Sequence, residues 1–265
     1  MMRRGKVVVD YPIADQLHQN PAIHCATLAI TRNVITGEGW PRFAEPDAAL
    51  RNGTLTFVKS NGQTYAVTCH HVVEYYRNVC KNSGEEFSHS MRTMLNGFYH
   101  VQDRFIRPSA QHGDHSPDIA IREIDPDHIA RIGKEPLDLD ALKEPPEDIK
   151  HAYAVGFPEA LKYNKHDEKD RFGYRVSMPQ VQILAELSCR PDRRFTMFSS
   201  LERLALDIDY SGMSGGPIYW SSGDEYGILG IIYEGGPSED KREIYVYGEL
   251  ATPAVIRGWI QECRA

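Results

Sequence analysis

A serine lies among three glycines and a proline near the C-terminal end of the chain, in the segment DYSGMSGGPIYW, Asp209–Trp220. A serine hydroxyl on a tight glycine-rich turn can act as a nucleophile when a neighbouring base takes its proton. The segment also fits G-x-S-x-G, the nucleophile turn of hydrolases in which a histidine follows the serine along the chain. All 11 histidines precede Ser214, the last of them being His166. The chain order therefore excludes that class.

Two upstream segments contain the partners that a nucleophilic serine needs. His71 lies in VTCHHVV and Asp118 lies in SPDIAI, so the order along the chain is His, Asp, Ser. An imidazole can take the serine proton near neutral pH, and a carboxylate can hold the imidazole in the required tautomer. His70 is the alternative base, and Asp114 and Asp125 are the alternative carboxylates. We favour Asp118 because it alone directly precedes the strand-like I-A-I run.

Short strands must position these residues, because strand signals recur along the chain and helical periodicity is scarce. Two β-prone runs flank Asn61-Gly62 within Gly53–Val73, which is the strongest short-range hairpin signal, and His71 is predicted to end the second strand. A helix is predicted only at Thr252–Cys263, with Thr252 as N-cap and Pro253 in the first turn. The polar stretches 81–111 and 159–175 are predicted to be surface excursions. Further predicted strands are Ser116–Asp125, His151–Pro158, Val181–Leu187, Ala205–Asp209, Gly216–Trp220, Tyr226–Glu234 and Glu243–Leu250.

The strands fall into two groups, which predicts an all-β fold of two antiparallel β-barrels with a C-terminal α-helix. We expect residues 1–50 to form an N-terminal extension that packs on the barrels or docks a partner. Residues 51–142 would form the barrel that carries His71 and Asp118, and 143–149 an acidic, proline-containing linker. Residues 150–250 would form the barrel that carries Ser214, and 251–265 the terminal helix.

Composition excludes several classes of partner and ligand. The net charge of −7 argues against nucleic acid, because no basic excess neutralises phosphate. No apolar run is long enough for a signal peptide or a membrane span. Five cysteines without C-x-x-C spacing predict a reduced, cytoplasmic protein, with a Cys69–Cys80 bridge as the alternative. We expect no cofactor and no metal, and we assign His112 and His115 to a polar loop despite their metal-like spacing with Asp118.

Together, the three segments resemble those of trypsin/chymotrypsin-like serine peptidases. In that family the histidine lies in T-A-x-H-V-like sequence, the aspartate in D-I-A-L-like sequence and the serine in G-x-S-G-G-P. The family places its histidine directly before the apolar residue, which favours His71 over His70. The resemblance runs from about Gly53 to the C-terminal helix. It implies two six-stranded barrels, a His71–Asp118–Ser214 triad, and an oxyanion hole made by the N–H groups of Gly212 and Ser214. It also implies an intracellular, bacterial, stand-alone peptidase domain acting on protein or peptide substrates.

The chain departs from the secreted members at Met213, where they keep an aspartate that pairs with a freed N-terminus. We therefore expect no activation by N-terminal cleavage. The turn that carries the two oxyanion donors, Gly212–Ser214, is called the oxyanion turn. It is either preformed or ordered by a protein partner or ligand. A non-catalytic protein-binding module on the same fold is the alternative function. Cleavage after a basic residue and after an apolar or small residue both stay open. By resemblance, the substrate pocket is lined by Ile208, Asp209, Tyr233, Glu234 and Gly235.

Overall fold

A curved sheet and a closed barrel, both almost entirely antiparallel, make up most of the protein in the computed structural model. The structure describes residues 15–34, 42–43, 49–83, 87–94, 98–109, 116–166, 174–188, 193–200, 210–222 and 224–264. No helix within these ranges is long and apolar enough to cross a membrane.

The eight-stranded sheet has the order β6-β5-β1-β3-β4-β7, with β2 beside β1 and β8 parallel to β3. An antiparallel bridge between Ile106 and Ile121 brings the chain that follows β6 to β7 at the opposite edge, so the sheet curls toward a barrel. Its elements are α1 (Asp15–Gln19), β1 (Cys25–Val34), β2 (Arg42–Phe43), β3 (Ala49–Ser60), β4 (Gln63–Thr68), α2 (His70–Lys81), β5 (Phe87–Met94), β6 (Phe98–Val101), β7 (Ala120–Glu123), α3 (Pro126–Arg131) and β8 (Leu137–Asp138).

The second half of the chain forms a closed six-stranded barrel, in which β12, β13, β16, β15, β14 and β9 follow one another. A 3-10 turn (Glu159–Leu161) and a separate β10–β11 hairpin follow β9. The C-terminal helix α4 buries Ile256, Trp259 and Ile260 in the core that the first sheet shares with part of the barrel. The elements are β9 (His151–Gly156), β10 (Tyr163–His166), β11 (Tyr174–Ser177), β12 (Val181–Leu187), β13 (Arg194–Ser200), β14 (Pro217–Ser222), β15 (Glu225–Pro237), β16 (Glu243–Leu250) and α4 (Pro253–Arg264).

The mostly β fold with a C-terminal helix is confirmed, although in the described residues the first unit is an open sheet rather than a closed barrel of six strands. The predicted hairpin joins β3 and β4, and Asn61 and Gly62 have φ angles of 49° and 76°. Both residues adopt the left-handed conformation that a two-residue hairpin turn needs. Helix α4 begins at Pro253, as predicted. Apart from the N-terminal extension, the domain boundaries stay predictions, and the predicted strand at 205–209 lies outside the described residues.

The prediction that His71 ends a strand is wrong, because β4 stops at Thr68 and His71 lies in the first turn of α2. Along this helix Val72, Tyr76 and Val79 pack against the core, at the three-to-four-residue spacing of one helix face. The local run V-V-E-Y-Y is β-prone, so packing against the sheet overrides local propensity.

Two further expectations are also corrected, and one alternative is settled. Cys25–Val34 belongs to the sheet rather than to an extension outside it, since β1 pairs with both β3 and β5. The stretch predicted as a surface excursion at 81–111 contains strands β5 and β6 of the eight-stranded sheet. The one predicted at 159–175 contains β10, which belongs to the separate β10–β11 hairpin and leaves that prediction in place. Cys69 and Cys80 are both free thiols, so the alternative bridge does not form.

Candidate active site

Two hydrogen bonds join Asp118 to His71, which lies at the start of α2. The ring Nδ1 of His71 lies 2.6 Å from Oδ2 of Asp118, and the backbone N–H of His71 donates to Oδ1 at 3.0 Å. The backbone N–H of His70 donates to the Asp118 carbonyl at 3.2 Å. With Nδ1 bonded to the carboxylate, Nε2 is the nitrogen of His71 that remains for proton exchange with another group.

Asp118 is held as a carboxylate by its contacts. Burial acts to raise its pKa, but the hydrogen bonds from His71 and the attraction of the His71 and His70 rings outweigh burial, so the pKa is lowered below its ordinary value. The segment before it is anchored by Arg107, whose guanidinium donates to the carbonyls of Pro117 and Ser116 at 3.0 and 3.1 Å. Asp118 therefore presents an ionised, fixed acceptor to His71 at neutral pH.

The other candidates for base and carboxylate lie elsewhere or outside the described residues. The ring of His70 lies 3.8 Å from Glu74 rather than on the carboxylate of Asp118, and its pKa is lowered by burial and by Arg107. Asp125 is the N-cap of α3 and accepts the N–H of Asp127 at 2.8 Å. The structure thus pairs Asp118 with His71. Asp114, the other alternative carboxylate, lies outside the described residues, as do the loop histidines His112 and His115.

A metal site is disfavoured where three ligand-type side chains meet. Donor atoms of Cys69, His71 and Asp118 lie within 4.8 Å of one another. Burial raises the pKa of the Cys69 thiol well above its ordinary value, and the thiol lies 3.1 Å from the carbonyl of Ile232. Because metals bind the thiolate rather than the thiol, this cluster is poorly suited to hold one.

Ser214 lies between two cavities that His71 also lines. One cavity, of about 400 Å³, is shared with Asp118, and the other, of about 720 Å³, extends along α2. The Ser214 hydroxyl donates to the carbonyl of Tyr233 at 3.0 Å, and in the described part of the chain it has no bond to His71. The structure therefore brings the three predicted residues around one site, with the hydroxyl turned toward β15.

Within the described residues, the turn that carries Ser214 leaves two backbone N–H groups without partners. Met213 N–H donates to Tyr210, Gly215 N–H to Ile232 and Gly216 N–H to Met213, at 3.0, 2.8 and 2.8 Å. Among the described residues, no acceptor faces the N–H groups of Gly212 and Ser214. Both residues line the larger cavity, so these two donors are available to a ligand there.

The orientation of both donors is set through the carbonyls of their own peptide units. The carbonyl of Ser211 accepts the N–H of Glu159 at 2.6 Å, and the carbonyl of Met213 accepts the N–H of Gly216 at 2.8 Å. In a planar trans peptide the C=O and the N–H point in opposite directions. The Gly212 N–H therefore points away from Glu159, and the Ser214 N–H points away from Gly216.

Three of the five predicted pocket residues line the smaller cavity: Tyr233, Glu234 and Gly235. Ile208 and Asp209 lie outside the described residues. Arg194 stacks on the Tyr233 ring, with its guanidinium carbon 4.7 Å from the ring centroid. Further residues of the site lie on other elements, and no local sequence pattern marks them: Asn52, Thr54, Arg107, Phe157 and Glu159.

Gly215 is expected to tolerate no side chain. It has a φ of +94°, and a Cβ there would lie 2.0 Å from the Thr54 carbonyl oxygen and 2.4 Å from Oγ1 of Thr68. We expect Gly215→Ala to lower the free energy of unfolding by about 3–5 kcal/mol, through backbone strain and overpacking. Gly62→Ala is the matched control, because Gly62 also has a positive φ but nothing lies within 4 Å of its Cβ position. It should lose about 1–2 kcal/mol. Urea unfolding measures both, and equal losses would contradict the steric account.

Comparisons with known proteins give a likeness of fold. No family model and no curated protein matches the chain. A crystal structure of a thermostable serine protease, AL20, from an extremophilic microorganism matches with a TM-score of 0.51 and 11% sequence identity, over 92% of this chain and 99% of that one. A structure concerned with the coupled folding and binding of the intrinsically disordered Sesbania mosaic virus VPg protein has a TM-score of 0.38 and 14% identity, over 86% of this chain and 91% of that one. The first match supports a trypsin-like two-barrel fold.

Proposed function

We propose that the protein is a serine endopeptidase that cleaves peptide bonds through an acyl-enzyme on Ser214. The 2.6 Å contact between His71 Nδ1 and Asp118 Oδ2, beside a cavity that Ser214 shares, carries this proposal. The N–H groups of Gly212 and Ser214, which have no acceptor among the described residues, support it, because a tetrahedral intermediate requires such donors. The structural likeness to a serine protease agrees with it.

The reaction begins when the Ser214 hydroxyl turns from the Tyr233 carbonyl to Nε2 of His71. His71 takes the proton as Oγ attacks the substrate carbonyl, and the resulting oxyanion accepts bonds from Gly212 and Ser214. His71 then protonates the leaving amine as the C–N bond breaks. Water repeats the sequence on the acyl-enzyme and frees Ser214. Throughout, ionised Asp118 stabilises the imidazolium and fixes its tautomer.

The substrate is a protein or peptide whose acyl side lies in the smaller cavity, against Tyr233, Glu234 and Gly235. The Glu234 carboxylate is exposed and forms no ion pair in the described part of the chain, which supports the prediction of cleavage after a basic residue. An apolar or small residue at the cleavage position stays the other prediction. The free thiols of Cys69 and Cys80 suit a reducing, cytoplasmic location.

Labelling with a fluorophosphonate tests the proposed nucleophile. We expect the probe to modify Ser214 alone, because a hydroxyl reacts with it only when a base takes the proton. Peptide mapping by mass spectrometry locates the label. Ser214→Ala should abolish labelling. Ser188→Ala, at an exposed serine that lines neither cavity and bonds to the Thr196 carbonyl, should leave it unchanged. A label that persists in Ser214→Ala would overturn the assignment.

A non-catalytic binding module is the second candidate. The observation that favours it is the bond from the Ser214 hydroxyl to the Tyr233 carbonyl, which turns the hydroxyl away from His71. If this bond persists in solution, the native protein should not react with the fluorophosphonate, even when the probe is presented on a peptide. Absence of labelling together with binding of peptides to the same cavity would establish this alternative.

A further inference from the structure

We propose that strand β3 of the first sheet fixes the oxyanion turn, Gly212–Ser214, through the side chains of Asn52 and Thr54. Held in this way, the turn keeps the N–H groups of Gly212 and Ser214 directed into the cavity. The chain itself would then form the oxyanion hole, with neither N-terminal cleavage nor an activating partner. This inference rests on the proposed peptidase function and deepens it.

Thr54 bonds directly to the turn at two points. It is fully buried, its hydroxyl donates to the Gly212 carbonyl at 2.9 Å, and its backbone N–H donates to the Ser214 carbonyl at 2.8 Å. The same hydroxyl accepts the N–H of Phe157 at 3.3 Å. One side chain therefore joins the peptide between the two oxyanion donors to the segment that follows β9.

The segment after β9, Phe157–Glu159, links β3 to the peptide that carries the Gly212 N–H. The Asn52 side-chain amide donates to the Phe157 carbonyl at 2.7 Å, so both backbone groups of Phe157 are bonded to β3. Two residues later the N–H of Glu159 holds the Ser211 carbonyl. Because this bond sets the direction of the Gly212 N–H, displacement of Phe157 would release the peptide to rotate and lose the donor.

Met213 anchors the turn from its other side. Its side chain is buried in the barrel core and lies against Gly156, where a Cβ would be 2.8 Å from the Met213 Cβ. An apolar side chain in this place cannot pair with an ammonium group, so an ion pair at this position is excluded. The hydrogen bonds from β3 and the burial of Met213 together restrain the turn.

Thr54→Val tests the inference, because valine keeps the shape and loses the hydroxyl. We expect kcat for a peptide substrate to fall between about 10- and 100-fold, less than the loss of a whole oxyanion donor, with KM within about twofold. Affinity for a peptide aldehyde should fall by the same factor as kcat. In its adduct the Ser214 Oγ bonds to the aldehyde carbon, the hydroxyl proton passes to His71, and the carbonyl oxygen becomes the oxyanion. Thr54→Ser should restore most of both.

Glu159→Pro gives an independent test if the valine variant does not fold. Proline suits the first position of a 3-10 turn and deletes the N–H that donates to the Ser211 carbonyl. Glu159→Ala loses the same side chain but keeps that N–H, so the difference between the two variants isolates the bond. We expect the proline variant to have the lower kcat and the weaker aldehyde binding of the two, by about tenfold.

The inference is overturned if kcat and aldehyde affinity in Thr54→Val match those of the unchanged protein, or if Thr54→Ser is as impaired as Thr54→Val. Equal behaviour of Glu159→Pro and Glu159→Ala would also overturn it, as would a requirement of the purified protein for an added factor. Failure of the proposed function gives a different result: hydrolysis by the unchanged protein would be missing or would survive in Ser214→Ala.

Discussion

Ser214→Ala is expected to lower kcat for peptide hydrolysis on the order of 10⁶-fold, with substrate affinity almost unchanged. The hydroxyl oxygen is the atom that bonds to the substrate. The methyl side chain of alanine lacks this oxygen and can form no acyl-enzyme. Ser214 is 8% exposed and bonds through its side chain to Tyr233 alone among the described residues. Its loss should therefore leave the turn and both cavities in place.

The companion variant His71→Ala separates a catalytic role from a structural one. If the two residues act as a unit, the double variant Ser214→Ala/His71→Ala should be no slower than either single variant. Single-turnover kinetics on one peptide would measure all three. Losses that multiply in the double variant would contradict a shared mechanism, and retained hydrolysis in Ser214→Ala would exclude Ser214 as the nucleophile.

Asp118→Asn is expected to reduce kcat on the order of 10⁴-fold at neutral pH. The carboxylate accepts bonds from both the ring and the backbone N–H of His71, and an amide of the same shape keeps one acceptor only. Its NH₂ group would donate to Nδ1, which places the ring proton on Nε2. His71 could then no longer accept the proton of Ser214, although the geometry of the site is preserved.

Asp125→Asn is the matched control for this replacement. The substitution removes the same charge seven residues later in the chain. Asp125 caps α3 by accepting the N–H of Asp127, and asparagine caps a helix equally well. Its activity should stay within about twofold of the unchanged protein. Steady-state kinetics with circular dichroism would measure both variants. Equal losses at Asp118 and Asp125 would point to a general effect of charge instead.

Asp118 and Ser214 could be proposed from the sequence because each lies in a short pattern that reports its own surroundings. Asp118 directly precedes an apolar run that becomes buried around Ile119 and Ile121. Ser214 lies among glycines, and Gly212 and Gly215 adopt φ angles that other residues avoid. Such patterns are set within a few residues of the chain, so they are legible without the fold.

Elements that depend on packing were predicted less well. The run after His70 has β-prone residues and still forms α2, because only the helix brings Val72, Tyr76 and Val79 to the core together. Strands β5 and β6 carry polar, partly exposed side chains such as Ser88 and His89 beside the buried Met91. They belong to the sheet because β5 pairs with β1 and β6 pairs with β5. In both cases neighbours distant in sequence decide the outcome, as is usual for strand propensity.

By itself the sequence determined the chemical groups of the site, their order along the chain, the Asn61-Gly62 hairpin and the terminal helix. Only the tertiary structure decided which histidine meets Asp118, where the Ser214 hydroxyl points, and what restrains the oxyanion turn. The bonds from Asn52 and Thr54 join residues more than 100 positions apart. No local period or turn signal encodes such bonds, because they exist only once the sheet and the barrel have packed together.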